Sequence, residues 1–330
     1  LGSHLVRPMS LPTTAVGSTA VRLTALGFGA APVANLFAAV DDERALATVD
    51  AAWDGGIRYF DTAPHYGLGL SELRLGKALQ ARPRDEFVVS TKVGRLLEVN
   101  PNPTGSDLAD GLFDVPDDYV RVRDYTRDGV LRSIEASLVR LGLDRVDIVY
   151  VHDPDDFMDE TIAQAAPALS ALREQGVIGA YGAGMNSWEP LRRLVDETDL
   201  DVVMLAGRWT LLERAGLPLL DRCQERGVSV VVAAPFNSGL LARPEPPDDA
   251  RHDYAPAPAQ LLARARRLAD ECRRHGAVLP QAALQFPLRH PAVAAVVAGM
   301  ASPAEVVADV GWVEAPVPEA LWAAMEDVLT

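Results

Sequence analysis

Short apolar runs of strand length alternate along the chain with longer stretches in which apolar residues recur at helical spacing. The runs predict strands at 23–28, 57–61, 87–92, 146–152, 178–182, 201–205, 228–234 and 293–298. The stretches between them predict helices at 42–54, 71–80, 126–141, 161–175, 187–197, 217–226 and 258–275, and a last helix from about Ser302. Eight strands that are each followed by a helix favour an α/β fold of the (β/α)8 or TIM barrel type over an open sheet.

Three further segments complete this prediction. A short N-terminal β-hairpin is predicted at 15–22. Two segments rich in Pro, Asp and Gly, 95–123 and 241–257, each follow the C-terminal end of a strand and exceed the usual loop length. Long loops at that rim build active sites on barrels, and surface insertion without a role is the alternative. We expect residues 1–10 to be a tag remnant and a disordered start, and 11–330 to form a single barrel domain.

Composition narrows the class of protein. Apolar residues make up 48% and charged residues 23% of the chain, as in a globular enzyme. A net charge of -15 argues against a nucleic-acid partner, because phosphate binding relies on clustered Lys and Arg. Cys223 and Cys272 have no metal or redox spacing, and no apolar run reaches the length of a membrane span. We therefore expect a cytoplasmic enzyme with a small-molecule substrate, no metal and no membrane partner; a monomer and a homo-oligomer are both open.

Polar residues follow three successive predicted strands. Asp61 ends the second strand, and Tyr66 follows in a turn rich in Gly and Pro. Lys92 ends the third strand and His152 the fourth. Singly, these residues have ordinary interpretations: a turn former, a rim aromatic, a solvated charge and a satisfied barrel histidine. Together at the C-terminal rim, where barrels carry their catalytic groups, they predict one catalytic site.

The residue types indicate proton transfer. A free tyrosine has a pKa near ~10, so Tyr66 needs a nearby positive charge to stabilise its phenolate. Lys92 is placed to supply that charge, and Asp61 on the neighbouring strand is placed to keep Lys92 protonated. A neutral His152 adds a hydrogen-bond donor that polarises a carbonyl oxygen. The set suits proton transfer coupled to hydride transfer.

Four motifs carry a family resemblance. D-T-A-P-H-Y-G at 61–67, S-T-K-V-G at 90–94, Y-V-H-D at 150–153 and G-A-G-M-N-S at 182–187 resemble those of the aldo-keto reductases, and the resemblance spans nearly all of 23–308. It implies a barrel that binds a nicotinamide cofactor without a Rossmann domain. It also implies that Tyr66 is the general acid/base and that Asp61, Lys92 and His152 are its partners.

The same resemblance implies the binding residues. Those expected at the cofactor are Gly29, Asn186, Phe236, Ser238, Gly299, Ser302 and Glu305, with Asn186 assigned to the nicotinamide carboxamide. Those expected at the substrate are Phe28, His65, Arg95, Arg208 and Trp209. For Trp209, packing under the rim is the alternative to stacking on nicotinamide. For Arg208 the alternative is an ion pair, and for Ser302 it is helix capping.

Two further phrases narrow the resemblance. L-A-G-R-W-T-L-L-E at 205–213 and A-A-P-F-N-S-G-L-L-A at 233–242 resemble the bacterial aldose 1-dehydrogenases, the L-fucose and D-threo-aldose dehydrogenase group, with pyridoxal 4-dehydrogenase a near relative. This implies NAD(P)-dependent oxidation of the anomeric hydroxyl of an aldose of the L-fucose, L-galactose or D-arabinose type to a lactone. An NADPH-dependent aldehyde or ketone reductase and a pyridoxal 4-dehydrogenase are the alternatives.

The choice between NAD and NADP depends on the loop after the eighth strand. A helix N-terminus there is suited to phosphate. Many NADP-binding relatives place Arg or Lys in this loop, whereas this chain has Met300 and Ala301. We therefore expect NAD to be favoured over NADP. Gly27 and Gly29 match the first two glycines of the dinucleotide-binding motif G-x-G-x-x-G. The rest of the motif is absent, so a Rossmann domain is disfavoured.

Overall fold

Eight parallel strands close into a barrel in the computed structural model, which describes residues 11–329. Each strand pairs with its neighbours along the chain, and the eighth pairs with the first, which confirms the predicted (β/α)8 fold. The expected tag remnant and disordered start at 1–10 lie outside the described residues. The barrel strands are β1 Leu26–Gly29, β2 Tyr59–Asp61, β3 Val88–Val93, β4 Ile148–His152, β5 Ala180–Met185, β6 Val202–Ala206, β7 Ser229–Ala233 and β8 Val293–Gly299.

Helices surround the barrel. They are α1 Asp42–Asp54, α2 Leu70–Leu79, α3 Arg127–Leu141, α4 Ala166–Glu174, α5 Trp188–Glu197, α6 Leu217–Arg226, α7 Ala259–Arg274, α8 Leu279–Gln285, α9 Pro303–Glu314 and α10 Glu319–Leu329. A short helical turn, Met158–Glu160, and a π-helical turn, Thr161–Ala165, lead into α4. Within residues 11–329, no helix combines the length and the apolar character that a membrane crossing requires.

Two helices were not predicted from the sequence. The helix α8 has Pro280 in its first turn, and proline within an apolar stretch is easily taken for a loop signal. Proline is nevertheless tolerated there, because the first N–H groups of a helix have no partner within it. The helix α10 follows the last predicted element, and Leu321, Trp322 and Met325 bury its inner face.

Alternation along the strands decides which side chains face the barrel interior. In β2, Tyr59 belongs to the interior cluster and Phe60 to the core between strands and helices, so Asp61 returns to the interior. In β4, Ile148 and Tyr150 are interior in the same way. His152 therefore lies on the interior face at the end of its strand. The predicted catalytic residues thus meet where the interior opens at the C-terminal rim.

The hairpin and the two long segments have structure of their own. Thr13–Ala15 pairs with Arg22–Thr24, so the hairpin is confirmed, with 15–22 covering mainly its turn. The long segment after β3 forms an antiparallel ribbon in which Arg95–Val99 pairs with Tyr119–Arg123. The segment after β7 contains a second small hairpin, Arg251–His252 with Ala255–Pro256.

Candidate active site

A buried ion pair joins the ends of β2 and β3. Lys92 Nζ donates to both carboxylate oxygens of Asp61, at 2.7 and 2.9 Å, and to the carbonyl of Thr62 at 2.9 Å. Asp61 is 3% and Lys92 2% exposed. Ser90, two residues before Lys92 on the same face of β3, donates its hydroxyl to Asp61 Oδ1 at 2.7 Å. The buried charges are therefore paired and hydrogen-bonded, as burial requires.

The ion pair keeps Lys92 charged. Burial alone would lower the pKa of Lys92, but Asp61 and Tyr66 outweigh it, and the pKa lies above its ordinary value. Lys92 therefore carries a proton at neutral pH, directly beside the phenol. Ser90 was not among the predicted site residues, although its spacing of two from Lys92 on a strand is a signal that places both on one face.

A tight turn presents Tyr66 to this pair. Tyr66 begins the 3-10 turn Tyr66–Gly69, in which Gly67, Leu68 and Gly69 all have positive φ. A Cβ on Gly67 would lie 2.6 Å from the carbonyl oxygen of Ala34, so only glycine fits there. The turn carries Tyr66 back over the barrel, where Lys92 Nζ lies 4.8 Å from the centroid of its ring.

The phenol of Tyr66 is a weaker acid than the sequence-based argument implied. Burial raises its pKa to about 12, with Asp61 acting in the same direction, and Lys92 only partly opposes this. The expected stabilisation of the phenolate by Lys92 is present, but burial outweighs it. Tyr66 is consequently protonated at neutral pH and set up as a proton donor in this state of the protein.

His152 is a neutral neighbour of Tyr66. The two ring centroids are 6.0 Å apart with the rings nearly perpendicular. Burial, followed by the nearby Arg95 and Lys92, holds the pKa of His152 well below its usual range. Its Nδ1 is buried without a hydrogen-bond partner within residues 11–329, and its Nε2 lies 3.7 Å from Asp153 Oδ2. His152 can therefore donate a hydrogen bond to a bound oxygen without carrying charge.

Arg95 connects two polar groups beside this centre. One guanidinium nitrogen lies 3.3 Å from His65 Nδ1, and the other forms an ion pair with Asp153. Burial, helped by Arg95 and Arg121, lowers the pKa of His65 to about 2. Burial also raises the pKa of Asp153, with Arg95 acting in the opposite direction. The expected substrate-pocket residues Arg95 and His65 are thus brought together next to His152.

The ribbon that begins at Arg95 supplies another wall. Arg121 holds Asp107 with two hydrogen bonds of 2.6 and 2.7 Å and donates to the carbonyl of His65 at 3.0 Å. The buried ring of Phe113 lies 6.1 Å from that of Tyr66 and 5.7 Å from that of His65. Sequence patterns did not identify Arg121, Asp107 or Phe113, because the positions of these residues depend on how a long irregular segment folds back.

Two glycines expected at the cofactor lie on the same rim. In the sheet register Gly29 stands between Asp61 of β2 and Gly299 of β8. A Cβ on Gly29 would lie 3.0 Å from the carbonyl oxygen of Ala298, so a side chain would crowd this position. The two glycines therefore leave the rim free of side chains where β8 meets β1.

The start of α9 is organised around a carboxylate. Ser302 caps the helix by accepting from the N–H of Glu305 at 3.3 Å, and Glu305 accepts from the N–H of Ala301 at 2.7 Å. Arg44 of α1 donates from Nε to the carbonyl of Ala301 at 2.9 Å. A positive side chain does therefore stand beside this loop, although not within it. Arg44 was missed because it is 257 residues away in sequence.

The other expected cofactor residues lie in loops after β5 and β7. The side chain of Asn186 is exposed at the end of β5 and has no hydrogen-bond partner among the described residues. Phe236 and Ser238 are half-buried in a turn where Ala234, Asn237 and Ser238 have positive φ without being glycine. Strained backbone of this kind is concentrated at binding sites.

Three residues expected at the substrate make packing or ion-pair contacts within the protein. Phe28 is fully buried and its ring packs 6.0 Å from that of Phe60, because alternation along β1 turns it toward the helices. Trp209 packs 5.2 Å from Phe286, so its ring fills the packing role given as the alternative to stacking. Arg208 pairs with Asp253 at 3.1 Å, which is the ion pair given as its alternative.

The chain and its fold match several known proteins. A family model described as "Aldo/keto reductase family" matches residues 25–330. The chain is 48% identical to a D-threo-aldose 1-dehydrogenase of Pseudomonas sp, over 97% of this chain and 98% of that protein. It is 39% identical to a pyridoxal 4-dehydrogenase of Microbacterium luteolum, over 93% of this chain and 94% of that protein. The fold resembles that of a solved aldo-keto reductase from Bacillus halodurans in its holo form, with a TM-score of 0.77, 27% identity and coverage of 97% of each chain.

These matches confirm the resemblance that the four sequence motifs indicated. Relatives in this family use NAD(P)(H), and the enzyme class is oxidoreductase. The family match covers all eight barrel strands and every expected site residue. The chain belongs to the aldo/keto reductase family.

Proposed function

We propose that the protein oxidises the anomeric hydroxyl of an aldose of the L-fucose, L-galactose or D-arabinose type to a lactone. The observation that carries this proposal is the assembly of Tyr66, Lys92, Asp61 and His152 at one opening of the barrel. The relative named D-threo-aldose 1-dehydrogenase supports the substrate class, because the match extends over nearly the whole of both chains. A polar wall of Arg95, His65 and Asp153 beside the centre suits a polyhydroxylated substrate.

In this proposal Tyr66 moves the proton. During oxidation the phenolate of Tyr66, whose negative charge Lys92 stabilises, accepts the proton of the anomeric hydroxyl. Since burial raises the pKa of Tyr66 to about 12, the phenolate is the minor form at neutral pH. Oxidation should therefore accelerate as the pH rises. His152 donates a hydrogen bond to the same sugar oxygen and stays neutral throughout.

A bound nicotinamide cofactor would accept the hydride. The residues present fit such a group: Asn186 offers an amide that has no partner in the described part of the chain, the turn at Ala234 and Ser238 is strained as at a binding site, and the start of α9 offers a helix N-terminus. We assign Asn186, Gly29, Phe236, Ser238, Gly299, Ser302 and Glu305 to holding it.

We propose that NAD is favoured over NADP. The carboxylate of Glu305 stands at the start of α9, where it suits a ribose hydroxyl and repels a 2'-phosphate. Arg44 acts in the opposite sense and would support residual NADP binding. Titration of NADH and NADPH fluorescence would give both dissociation constants. Glu305→Gln keeps an acceptor for the Ala301 N–H and should reduce the difference between the dissociation constants of NADH and NADPH. Arg44→Ala should increase that difference. Tighter binding of NADPH than NADH by the unmodified protein would refute the preference.

Two other activities have specific support. The high pKa of Tyr66 favours a protonated phenol, which is the form that donates the proton when NADPH reduces an aldehyde. The relative named pyridoxal 4-dehydrogenase supports oxidation of pyridoxal. Both alternatives use the same four residues, so substrate trials decide between them. The cytoplasmic location stays a prediction.

The deciding experiment follows the absorbance of reduced nicotinamide with NAD or NADP and L-fucose, L-galactose, D-arabinose or pyridoxal. Growth of the absorbance with a sugar, and a lactone as its product, is the expected result. Growth with pyridoxal alone would transfer the assignment to that substrate. Consumption of NADPH by simple aldehydes, with no sugar oxidised, would transfer it to the reductase.

A further inference from the structure

Asp153 is held in an unusual backbone conformation directly after His152. Its φ is 42°, in the left-handed region that non-glycine residues rarely adopt. The conformation is fixed from several sides: its N–H donates to the carbonyl of Gly184 at 3.0 Å, and the hydroxyl of buried Tyr125 lies 2.7 and 2.9 Å from the carbonyls of His152 and Asp153. A strained residue that its surroundings hold so firmly is a reason to look for a function at its side chain.

Only one oxygen of the Asp153 carboxylate has a partner among the described residues. Oδ2 pairs with Arg95 and lies 3.7 Å from Nε2 of His152. Oδ1 has no hydrogen-bond partner among the described residues and is not one of the buried unpartnered atoms, so it is open to solvent. An unpaired carboxylate oxygen therefore remains next to the ring that is proposed to hold the reacting oxygen.

Arg95 also fixes the state of His65. A guanidinium only donates hydrogen bonds, so the His65 Nδ1 at 3.3 Å from it must accept. The ring is neutral, since its pKa is lowered to about 2, and its proton therefore sits on Nε2. Nε2 has no partner among the described residues and, like Asp153 Oδ1, is not one of the buried unpartnered atoms. The ring centroid of His65 is 5.5 Å from that of His152.

We propose that Asp153 and His65 together recognise the hydroxyl on the carbon next to the reacting carbon, with Asp153 Oδ1 accepting its proton and His65 Nε2–H donating to its oxygen. Vicinal oxygens lie within hydrogen-bond reach of each other, so a group next to His152 meets this hydroxyl first. A hydroxyl is the one common substituent that donates and accepts at the same oxygen. This inference rests on the proposed function for its sugar substrate, but it extends to any 2-hydroxyaldehyde at the same site.

The test compares substrates with and without that hydroxyl. For oxidation the pair is the sugar found active in the substrate trials and its 2-deoxy analogue; for reduction it is glyceraldehyde and 3-hydroxypropanal. We expect kcat/KM to favour the hydroxylated member by about 10- to 100-fold in the unmodified protein, as for a hydrogen bond to a charged group. Asp153→Asn removes the charge and should reduce this preference at least about fivefold. Asp153→Ala removes the acceptor and should lower the preference further, to what the hydrogen bond from His65 alone supports.

A matched variant controls for the lost charge. Asp156 lies three residues further along the same loop, is exposed, and pairs only loosely with Arg123 at 3.5 Å. Asp156→Asn should leave the preference unchanged. Because each preference is a ratio within one protein, partial unfolding of a variant cancels from it. If Asp153 had a purely structural role, its substitution would lower kcat/KM equally for both substrates of a pair.

The outcomes separate this inference from the proposed function. A preference that is unchanged in both Asp153 variants overturns the inference even when sugars are oxidised. If no sugar is oxidised but the preference for glyceraldehyde depends on Asp153, the proposed function fails and the inference holds. If neither pair is turned over, both are overturned.

Discussion

Two polar groups meet at the opening of the barrel, and they are built differently. The strand-end group, Asp61, Ser90, Lys92 and His152, sits on barrel strands, and each member is at most 8% exposed. The outer group, Arg95, Asp153, Arg208 and Asp253, is held by loops and the ribbon, with side chains 14% to 51% exposed. Rigid, dry strands suit groups that must keep their geometry during proton transfer. Loop-borne ion pairs suit selectivity, which changes among relatives without disturbing the chemistry.

Loss of the proton carrier should have the largest effect. Tyr66→Phe removes only a hydroxyl, so we expect kcat to fall by about 10³-fold or more while cofactor affinity stays within about twofold. Steady-state kinetics and fluorescence titration would measure the two quantities. Tyr119→Phe, at an exposed position on the ribbon, is the matched control and should change neither. Activity of Tyr66→Phe within a few-fold of the unmodified protein would remove Tyr66 from this role.

Breaking the buried ion pair should cost stability as well as turnover. Lys92→Met leaves Asp61 charged and unpaired in the barrel interior, which should lower the free energy of unfolding by about 3–5 kcal/mol. Denaturant unfolding would measure this. The double variant Lys92→Met/Asp61→Asn should recover part of the loss, because no buried charge is left. A loss below about 1 kcal/mol in the single variant would show that Asp61 is not isolated from water.

Apart from Ser90, which was missed, the strand-end group was predicted because a strand has a fixed period. Once 57–61 and the two following runs are recognised as strands, alternation and the common rim bring Asp61, Lys92 and His152 together. Tyr66 follows from the short turn after β2. The barrel order was predictable for the same reason, since each apolar run is followed by one helical stretch.

The outer group was not predictable in this way. Whether Arg95 meets Asp153 depends on the ribbon pairing of 95–123, and the pairing of Arg208 with Asp253 depends on a small hairpin 45 residues away. Local patterns carry no information on such long-range contacts. The raised pKa of Tyr66 was missed for a related reason, because its burial depends on Phe113 and the folded ribbon.

The pH dependence of stability probes His65, which lies between the two groups. Its folded pKa of about 2 is below the ordinary value of 6.5, so the unfolded state binds the proton more readily between these values. Stability contributed by neutral His65 is therefore present above about pH 6.5 and is lost as the pH falls. Between pH 7 and 5.5 this should cost about 1 kcal/mol. His65→Asn should reduce the change in the free energy of unfolding between pH 7 and 5.5 by that amount. An unchanged pH dependence in this variant would mean that His65 is well solvated.

Removal of an outer ion pair should have the smallest effect. The side chains of Arg208 and Asp253 are 25% and 51% exposed, so solvent already screens their attraction, and exposed pairs contribute at most about 1 kcal/mol. We expect Arg208→Met to lower the free energy of unfolding by less than that and to change kcat for an unhydroxylated aldehyde by less than about threefold. Both substitutions replace a cation with methionine, so Arg208→Met and Lys92→Met differ mainly in burial. Equal losses in the two variants, measured by the same denaturant unfolding, would mean that burial does not separate the two groups. The expected result is a small loss of unfolding free energy in Arg208→Met and a large one in Lys92→Met. It would mean that the strand-end ion pair determines the stability of the site, so that the loops can change selectivity without unfolding it.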